Sequence, residues 1–506
     1  MNENLFALVA SRVAPADPFI ETEDGCRYSY GDMLAMTGRY ANALVASGVR
    51  AGDRVVAQTE KSPEAYCLYL AVLRAGAVFV PLNTAYQPAE LEYFLRDSRP
   101  RVFVCDPSSH ERANALASAC DVPRVLTLDD ADRGTLPALA ASQPAEVATA
   151  QRDGGDLAAI IYTSGTTGRQ KGAMLTHHNL ASNGEAIMRL WGFTRQDALL
   201  HALPTFHVHG LFIAAHCSLL SGSRMLFMKK FAVDPLIELL PRATVLMGVP
   251  TFYTRLLDSP RFQRAACRTL RLFVSGSAPL LAETSHAFTE RTGHVVLERY
   301  GMTEAVVIAS NPLVGERRPG SVGQPVDGVD LRIADTEDRP LPLGGVGTIQ
   351  IRGPAVMKGY WRNPEKTAED FTRDGWFRTG DLGTVAEGGY VTIVGRAKDL
   401  VISGGFNVYP KEVELAIDAL PGVFESAVIG VPHHDFGEAV TAVVVRKDPA
   451  LDASAILRAL RIQLAAYKIP KQIHFVDQLP RNVMGKVLKN VLRQTYSGST
   501  ATSRPA

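Results

Sequence analysis

Tyr162-Thr163-Ser164-Gly165-Thr166-Thr167-Gly168-Arg169-Gln170-Lys171-Gly172 follows an apolar run, Leu157-Ala158-Ala159-Ile160-Ile161, that reads as a buried strand ending in a hydroxyl- and glycine-rich turn. Glycines have no Cβ, so the backbone can come close to a bulky anion. Ser and Thr hydroxyls, with successive backbone N–H groups, can surround phosphate oxygens, and Lys171 adds a positive charge. The pattern points to a nucleotide phosphate; taken alone, the loop also fits a plain Gly/Ser/Thr turn. Because Gly172 follows Lys171, it is not the GxxxxGK[ST] loop of the strand–loop–helix NTPases.

Outward from this loop, 506 residues exceed what one hydrophobic core serves, so at least two domains are expected. A net charge of +1 gives no electrostatic footprint for nucleic acid or an anionic membrane surface. No basic-plus-apolar leader opens the chain, and no apolar run is long enough to span a bilayer. Cys26, Cys67, Cys105, Cys120, Cys217 and Cys267 are scattered without a CxxC pair. Neither a zinc site nor a disulfide framework is expected, and the chain reads as cytoplasmic.

Residues 28–110 alternate helical and strand-like patterns: an amphipathic segment at 32–48, a strand at 54–57, a helix at 64–75, and strands at 78–82 and 101–105. The alternation returns at 243–249, 271–275 and 294–297, and it predicts right-handed crossovers in largely parallel sheets. From about 320 the texture changes to short strands at 329–333, 347–351 and 389–393 between Gly/Pro turns, which reads as a small antiparallel subdomain. Beyond Arg396 comes helix 410–419, strands 425–430 and 439–446, helix 452–465 and strand 472–476. The expected fold class is α/β. It comprises a large N-terminal domain of mixed α/β sheets plus a small β-subdomain (1–395), a smaller mobile α+β C-terminal domain (396–496), and a disordered tail (497–506).

YTSGTTGRQKG (162–172), PTFHVHG (204–210), SGSAPL (275–280), RYGMTE (299–304), TGD (379–381), GRAKDLVISGGFNVYP (395–410) and MGK (484–486) together resemble, in order and spacing, the motifs of the acyl-adenylate-forming superfamily. That superfamily includes acyl-CoA synthetases, luciferases and peptide-synthetase adenylation domains. The resemblance implies two steps: a carboxylate and ATP give an acyl-AMP and pyrophosphate, and a thiol then takes the acyl group. It assigns the ATP phosphates to Thr163, Ser164, Gly165, Thr166, Thr167, Gly168 and Lys171, where donors stabilise the departing pyrophosphate. Glu304, with Thr166, matches the Mg²⁺ position, which needs hard oxygen near the phosphates. Tyr300 and the 276–279 backbone would sandwich the adenine, with Ser277, Ala278, Arg299, Gly301 and Thr303 around the nucleotide. Asp381 would accept both ribose hydroxyls, and Arg396 would contact ribose and phosphate.

By the same resemblance, Lys486 reaches the oxygen that bridges carboxylate and α-phosphate, where charge gathers in the transition state. Lys398 and Asp399 match the hinge about which the small domain turns between half-reactions. Gly404, Gly405 and Phe406 match the loop along which the pantetheine arm of CoA passes, although an ordinary β-turn also fits those glycines. Reversible acetylation of Lys486 by a lysine acetyltransferase and deacetylase would switch off the first step by removing its charge.

The acid is decided at the acyl pocket, where the resemblance places His207, Arg255, Ser277, Arg299 and Met302. Many relatives that activate monocarboxylates carry a small or neutral residue in place of Arg299. A desolvated guanidinium needs an anion, and the simplest is a second carboxylate on the substrate. A helix-surface arginine or an internal salt bridge is the alternative for Arg255. The runs GVPTFYTRL, SGSAPL, ERYGMTE and SGGFNVYPKE are similar to those of the malonate-activating branch. One departure is Ala305-Val306-Val307-Ile308-Ala309, where that branch carries more polar residues; it either repacks the pocket wall or admits methylmalonate. The activity expected is therefore a malonate–CoA ligase, with a short- or medium-chain monocarboxylate ligase or a carrier-protein-loading enzyme as alternatives.

Overall fold

The apolar run before the opening loop forms the strand Leu157–Thr163, buried from Ala158 to Tyr162. The chain comes back antiparallel as Lys171–Thr176, with Thr163 opposite Lys171. Return by a strand rather than a helix separates this loop from the NTPase type. The computed structural model describes residues 2–163, 170–403, 406–433, 436–482 and 485–497. Ser164, Gly165, Thr166, Thr167, Gly168, Gly404, Gly405 and Met484 lie outside the described residues.

The chain packs as two compact units, Met1–Asp330 with Ile351–Phe377, and Leu331–Gln350 with Arg378–Ala506. In the first, one sheet runs Gly359–Tyr360, Lys171–Thr176, Leu157–Thr163, Val78–Pro81, Arg54–Gln58, Val102–Cys105, Arg124–Thr127. Its last five strands are parallel. Both faces of such strands are covered, which explains the near-continuous Val/Phe runs at 78–81 and 102–105. Ser62 caps the helix Pro63–Arg74, with Pro63 opening its first turn, so the helix starts where sequence reading expects.

A second sheet carries the candidate site. Its centre is the parallel set Leu297–Tyr300, Leu272–Ser275, Val245–Gly248, Ala198–His201, Arg224–Phe227. The sequence places a strand at 294–297, but the structure places it three residues later. Val295 is exposed, and Leu297 and Arg299 point to the buried face while Glu298 and Tyr300 are half-buried. The apolar run His294-Val295-Val296-Leu297 is thus mostly approach, and the strand itself includes a charged pair that no alternation rule would select.

In the second unit, Asp330–Ala334, Gly347–Arg352, Phe377–Val385 and Val391–Arg396 make one sheet. The other is built on the long pair Val423–His433 and Gly437–Arg446. Val428, Val440 and Val444 pack under the helices Pro410–Asp418 and Ala453–Gln463, while Ile429, Val431 and Val443 pack against Leu479 and Leu492. Burial on both faces explains why these strands read as unbroken apolar runs. All six cysteines are free, and only Cys26 is exposed. Among the described residues no helix is long and apolar enough to cross a membrane.

Candidate active site

Parallel strands present their carboxyl ends together, and in open α/β sheets that edge is where ligands bind. Here the ends are His201, Gly248, Ser275 and Tyr300, each followed by one of the singled-out segments. Arg299 is 5% exposed, and its Nε and Nη2 have no hydrogen-bond partner. Burial pushes its pKa down to about 9, with the Tyr253 phenol opposing. An unpaired buried guanidinium is costly. This is the only candidate site residue among those described that combines a buried charge with two orphaned donors.

The guanidinium lies over the Gly276 backbone: a Cβ there would stand 2.3 Å from Arg299 Nε and 2.4 Å from its Cζ. Ser277 next door takes φ +73°, unusual for a residue with a side chain. Its hydroxyl is 3.2 Å from His209 Nδ1. His207 accepts the His209 backbone N–H on Nδ1 at 3.2 Å. Burial and the nearby Arg299 charge hold His207 down to about 4, so at neutral pH the ring is uncharged and its proton sits on Nε2. In that tautomer Nε2–H is available to donate a hydrogen bond. Burial, with the nearby Arg299 charge, holds His209 well below the ordinary histidine value, and its buried Nε2 has no partner. Gly276→Ala is therefore expected to raise the KM for the acid by up to roughly 100-fold, since displacement of an ångström at a reacting site has that order of effect. The displaced group is a flexible side chain, so the unfolding temperature should hold. A rise confined to the KM for ATP would instead mean that Gly276 serves the adenine alone and does not place Arg299.

Arg255 is placed differently. It projects from the helix Pro250–Asp258 as an exposed side chain, while Phe252, Tyr253 and Leu256 take the buried face. The desolvation argument therefore applies to Arg299 and not to Arg255. Met302 and Thr303 are half-buried, between Gly301 and Glu304. A Cβ on Gly301 would meet the Val306 carbonyl at 1.9 Å. Val306 itself has φ +58°, which a β-branched residue rarely adopts. Ala305 to Ala309 are all buried, pinned by Asn183 donating to the Val307 carbonyl at 2.8 Å and by Ile308 N–H to the Tyr300 carbonyl at 2.9 Å. The apolar segment is a packed wall.

A second cluster surrounds the base of the opening loop. Glu304, 7% exposed, accepts a hydrogen bond from Tyr360 Oη at 3.2 Å. Lys171 Nζ stands 5.3 Å from the Tyr360 ring centroid. Burial and the neighbouring Lys366 lower its pKa, while Asp370, Glu369 and Glu304 oppose. Lys366, bonded to Glu369 and Asp370 at 2.8 Å each, is a cation that the motifs do not signal. Only its position on the helix Pro364–Asp370, after the strand that pairs with Lys171–Thr176, brings it there. Glu304 offers hard oxygen beside these cations and suits Mg²⁺, which commonly takes one or two carboxylates and completes its shell with substrate phosphates and water.

In the second unit, Asp381, 3% exposed, faces Arg396 across the strand pair and accepts from its Nε at 2.8 Å. Asp399 accepts from Arg493 at 2.7 Å, and Lys398 is exposed beside it. Arg396, Asp381, Lys398 and Asp399 all act electrostatically on Lys486, so the unit gathers five of the singled-out residues. Phe406 is exposed and stacks on Tyr467 at 4.8 Å.

The family model of AMP-binding enzymes matches residues 8–361, and that of the AMP-binding enzyme C-terminal domain matches 412–486. The crystal structure of ATP-bound MatB from Rhodopseudomonas palustris is 55% identical, with 99% of this chain and 100% of that one covered at a TM-score of 0.97. Feruloyl-CoA synthase of an Amycolatopsis species is 38% identical over 93% of this chain and 94% of its own. The mitochondrial malonate–CoA ligase of Mus musculus is 38% identical over 83% of this chain and 78% of its own.

Proposed function

The chain belongs to the AMP-binding enzymes, the acyl-adenylate-forming superfamily of acyl-CoA synthetases, and on that premise we propose that it is a malonate–CoA ligase. The observation that carries the choice of acid is Arg299, a buried guanidinium with two N–H donors and no acceptor. The distal carboxylate of a short dicarboxylate supplies both acceptors and the missing charge. The likeness to a malonate–CoA ligase supports the same reading.

In the first step a malonate oxygen attacks the α-phosphorus of ATP, the bond to pyrophosphate breaks, and malonyl-AMP forms. His207 orients the reacting carboxylate through Nε2–H. Thr163, Lys171 and Lys366 hold the charge that leaves with pyrophosphate. Glu304 would hold Mg²⁺, which when bound neutralises part of that phosphate charge. Tyr300 and the 276–279 backbone take the adenine, and Asp381 the ribose hydroxyls, with Arg396 beside it. Lys486 is the cation for the oxygen that bridges acyl carbon and phosphorus. In the second step the CoA thiolate attacks the acyl carbon and AMP leaves. Lys398 and Asp399 are the hinge between the steps.

An added methyl on the acid changes discrimination by only about 1–3 kcal/mol. Methylmalonate is therefore expected as a second substrate. Pyrophosphate release and thioester formation with free CoA, measured over malonate, methylmalonate, succinate, acetate, octanoate and ferulate, test the proposal. Malonate is expected to give the highest kcat/KM; best turnover with octanoate or ferulate would overturn the dicarboxylate reading. An acyl-AMP that stays bound when CoA is added would point to a carrier-protein acceptor.

A further inference from the structure

We propose that Arg481, held by Glu425, is a positioning residue that fixes the hairpin carrying Lys486; the inference rests on the role just given to Lys486. The hairpin is tied by its own backbone. Arg481 and Val487 bridge antiparallel, Asn482 N–H donates to the Lys486 carbonyl at 3.0 Å, and Gly485 N–H donates to the Asn482 carbonyl at 2.9 Å. Lys486 N–H donates to Asn482 Oδ1 at 3.0 Å. These bonds join the described residues on either side of the turn, 481–482 and 485–487. They close within 481–487; on the unit, one end of the hairpin is held by Leu479 and Val487, which pack against the face of Ile429 and Val431.

Arg481 adds a polar anchor next to the lysine itself. Its Nη1 donates to the Gly485 carbonyl at 2.6 Å, one residue before the lysine, and its Nη2 forms an ion pair with Glu425. Glu425 lies near the start of the strand Val423–His433, the end strand of its sheet, where it is paired with Val445, and its side chain is 12% exposed. One planar guanidinium thus ties the peptide next to Lys486 to the rigid sheet. Lysine cannot reproduce this, since one ammonium lacks the fixed fork that reaches two acceptors. Glycine at 485 is required for the geometry, because its φ is +74°. A second ion pair, Lys489 to Glu414 at 2.5 Å, holds the helix that follows.

A lysine that must meet a bridging oxygen in one transition state depends on placement, and poor placement affects the step that uses it. The test uses the full-length enzyme with Arg481→Met, Arg481→Lys, Glu425→Gln, Lys486→Ala and the Arg481→Met/Lys486→Ala pair. It reads pyrophosphate release in the first turnover, thioester formation from supplied malonyl-AMP and CoA, and the unfolding temperature. Arg481→Met is expected to slow adenylation by about 10- to 100-fold through kcat, with the KM values for acid and ATP within about threefold. Thioester formation should stay within about twofold. Arg481→Lys and Glu425→Gln should fall between wild type and Arg481→Met. In the Lys486→Ala background the Arg481 change should cost nothing further, because the lysine it places is gone. Equal losses in both half-reactions, or additive losses in the pair, would overturn the positioning role and leave Arg481 a structural residue. If Lys486→Ala itself retained wild-type adenylation, the assignment of Lys486 would fall, and this inference with it.

Discussion

Arg299→Met is expected to lower kcat/KM for malonate by about 30- to 4,000-fold while making the protein harder to unfold. The functional half follows from removing one partner of a buried, hydrogen-bonded charge pair, which costs about 2–5 kcal/mol. The stability half follows from the protein without substrate. Arg299 is 5% exposed, two of its nitrogens are unpartnered, and burial depresses its pKa to about 9. The native state therefore bears the desolvation of a cation that the unfolded chain keeps in water. Methionine fills similar volume without the charge, and such replacements stabilise by about 1–4 kcal/mol in other buried ionic sites. A rise in unfolding temperature of roughly 2 °C or more should accompany the loss of malonate turnover. Acetate and propionate, with no distal charge, should lose far less than malonate. A variant that keeps malonate kcat/KM while losing stability would make Arg299 a structural residue and remove the main support for a dicarboxylate substrate. Binding sites often store instability of this kind, because a group prepared for its ligand is unsatisfied without it.

The same residue shows where sequence reading ends. Its position in RYGMTE is legible from the motif, and so is its strand from the surrounding alternation, to within three residues. What is not legible is that its donors lack partners, because that depends on Gly276, twenty-three positions away, giving up its Cβ volume to the guanidinium. Arg255 shows the converse. It is as plain in the sequence as Arg299, but the helix Pro250–Asp258 turns its apolar face inward and leaves Arg255 exposed. Lys366 carries no motif and reaches Lys171 only through the pairing of Gly359–Tyr360 with Lys171–Thr176. The α/β pattern, the parallel sheets and the texture change near 320 were readable because burial leaves period and composition in the sequence. Val306 was not, since nothing in an apolar pentapeptide marks which residue takes a left-handed backbone.

Lys486→Ala is expected to slow pyrophosphate release by on the order of 10²–10³-fold and to leave thioester formation from supplied malonyl-AMP nearly unchanged. A positive charge at the bridging oxygen stabilises the adenylation transition state, where charge accumulates on that atom, whereas the thiol attack proceeds at the acyl carbon. The charge is also conditional on pH. Desolvation, with the neighbouring Arg396 and Lys398, lowers the Lys486 pKa to about 8, against the pull of Asp381 and Asp399. The group is lowered from its ordinary value, so the cation is present below about pH 8 and is lost as pH rises through it. At saturating malonate, which keeps Arg299 paired and charged, adenylation by the wild-type enzyme should fall about tenfold per unit above that point. Thioester formation should rise over the same range, since a thiol nucleophile gains thiolate. The two half-reactions thus have opposite slopes between about pH 8 and 9, and their crossing can be followed in one enzyme by quench-flow with each substrate set. His207, already neutral above about 4, contributes no step in this window. An adenylation rate flat to pH 10 would mean that no group titrating near 8 serves the first step; if Lys486→Ala also proved active, Lys486 would be only a surface lysine in a tight turn.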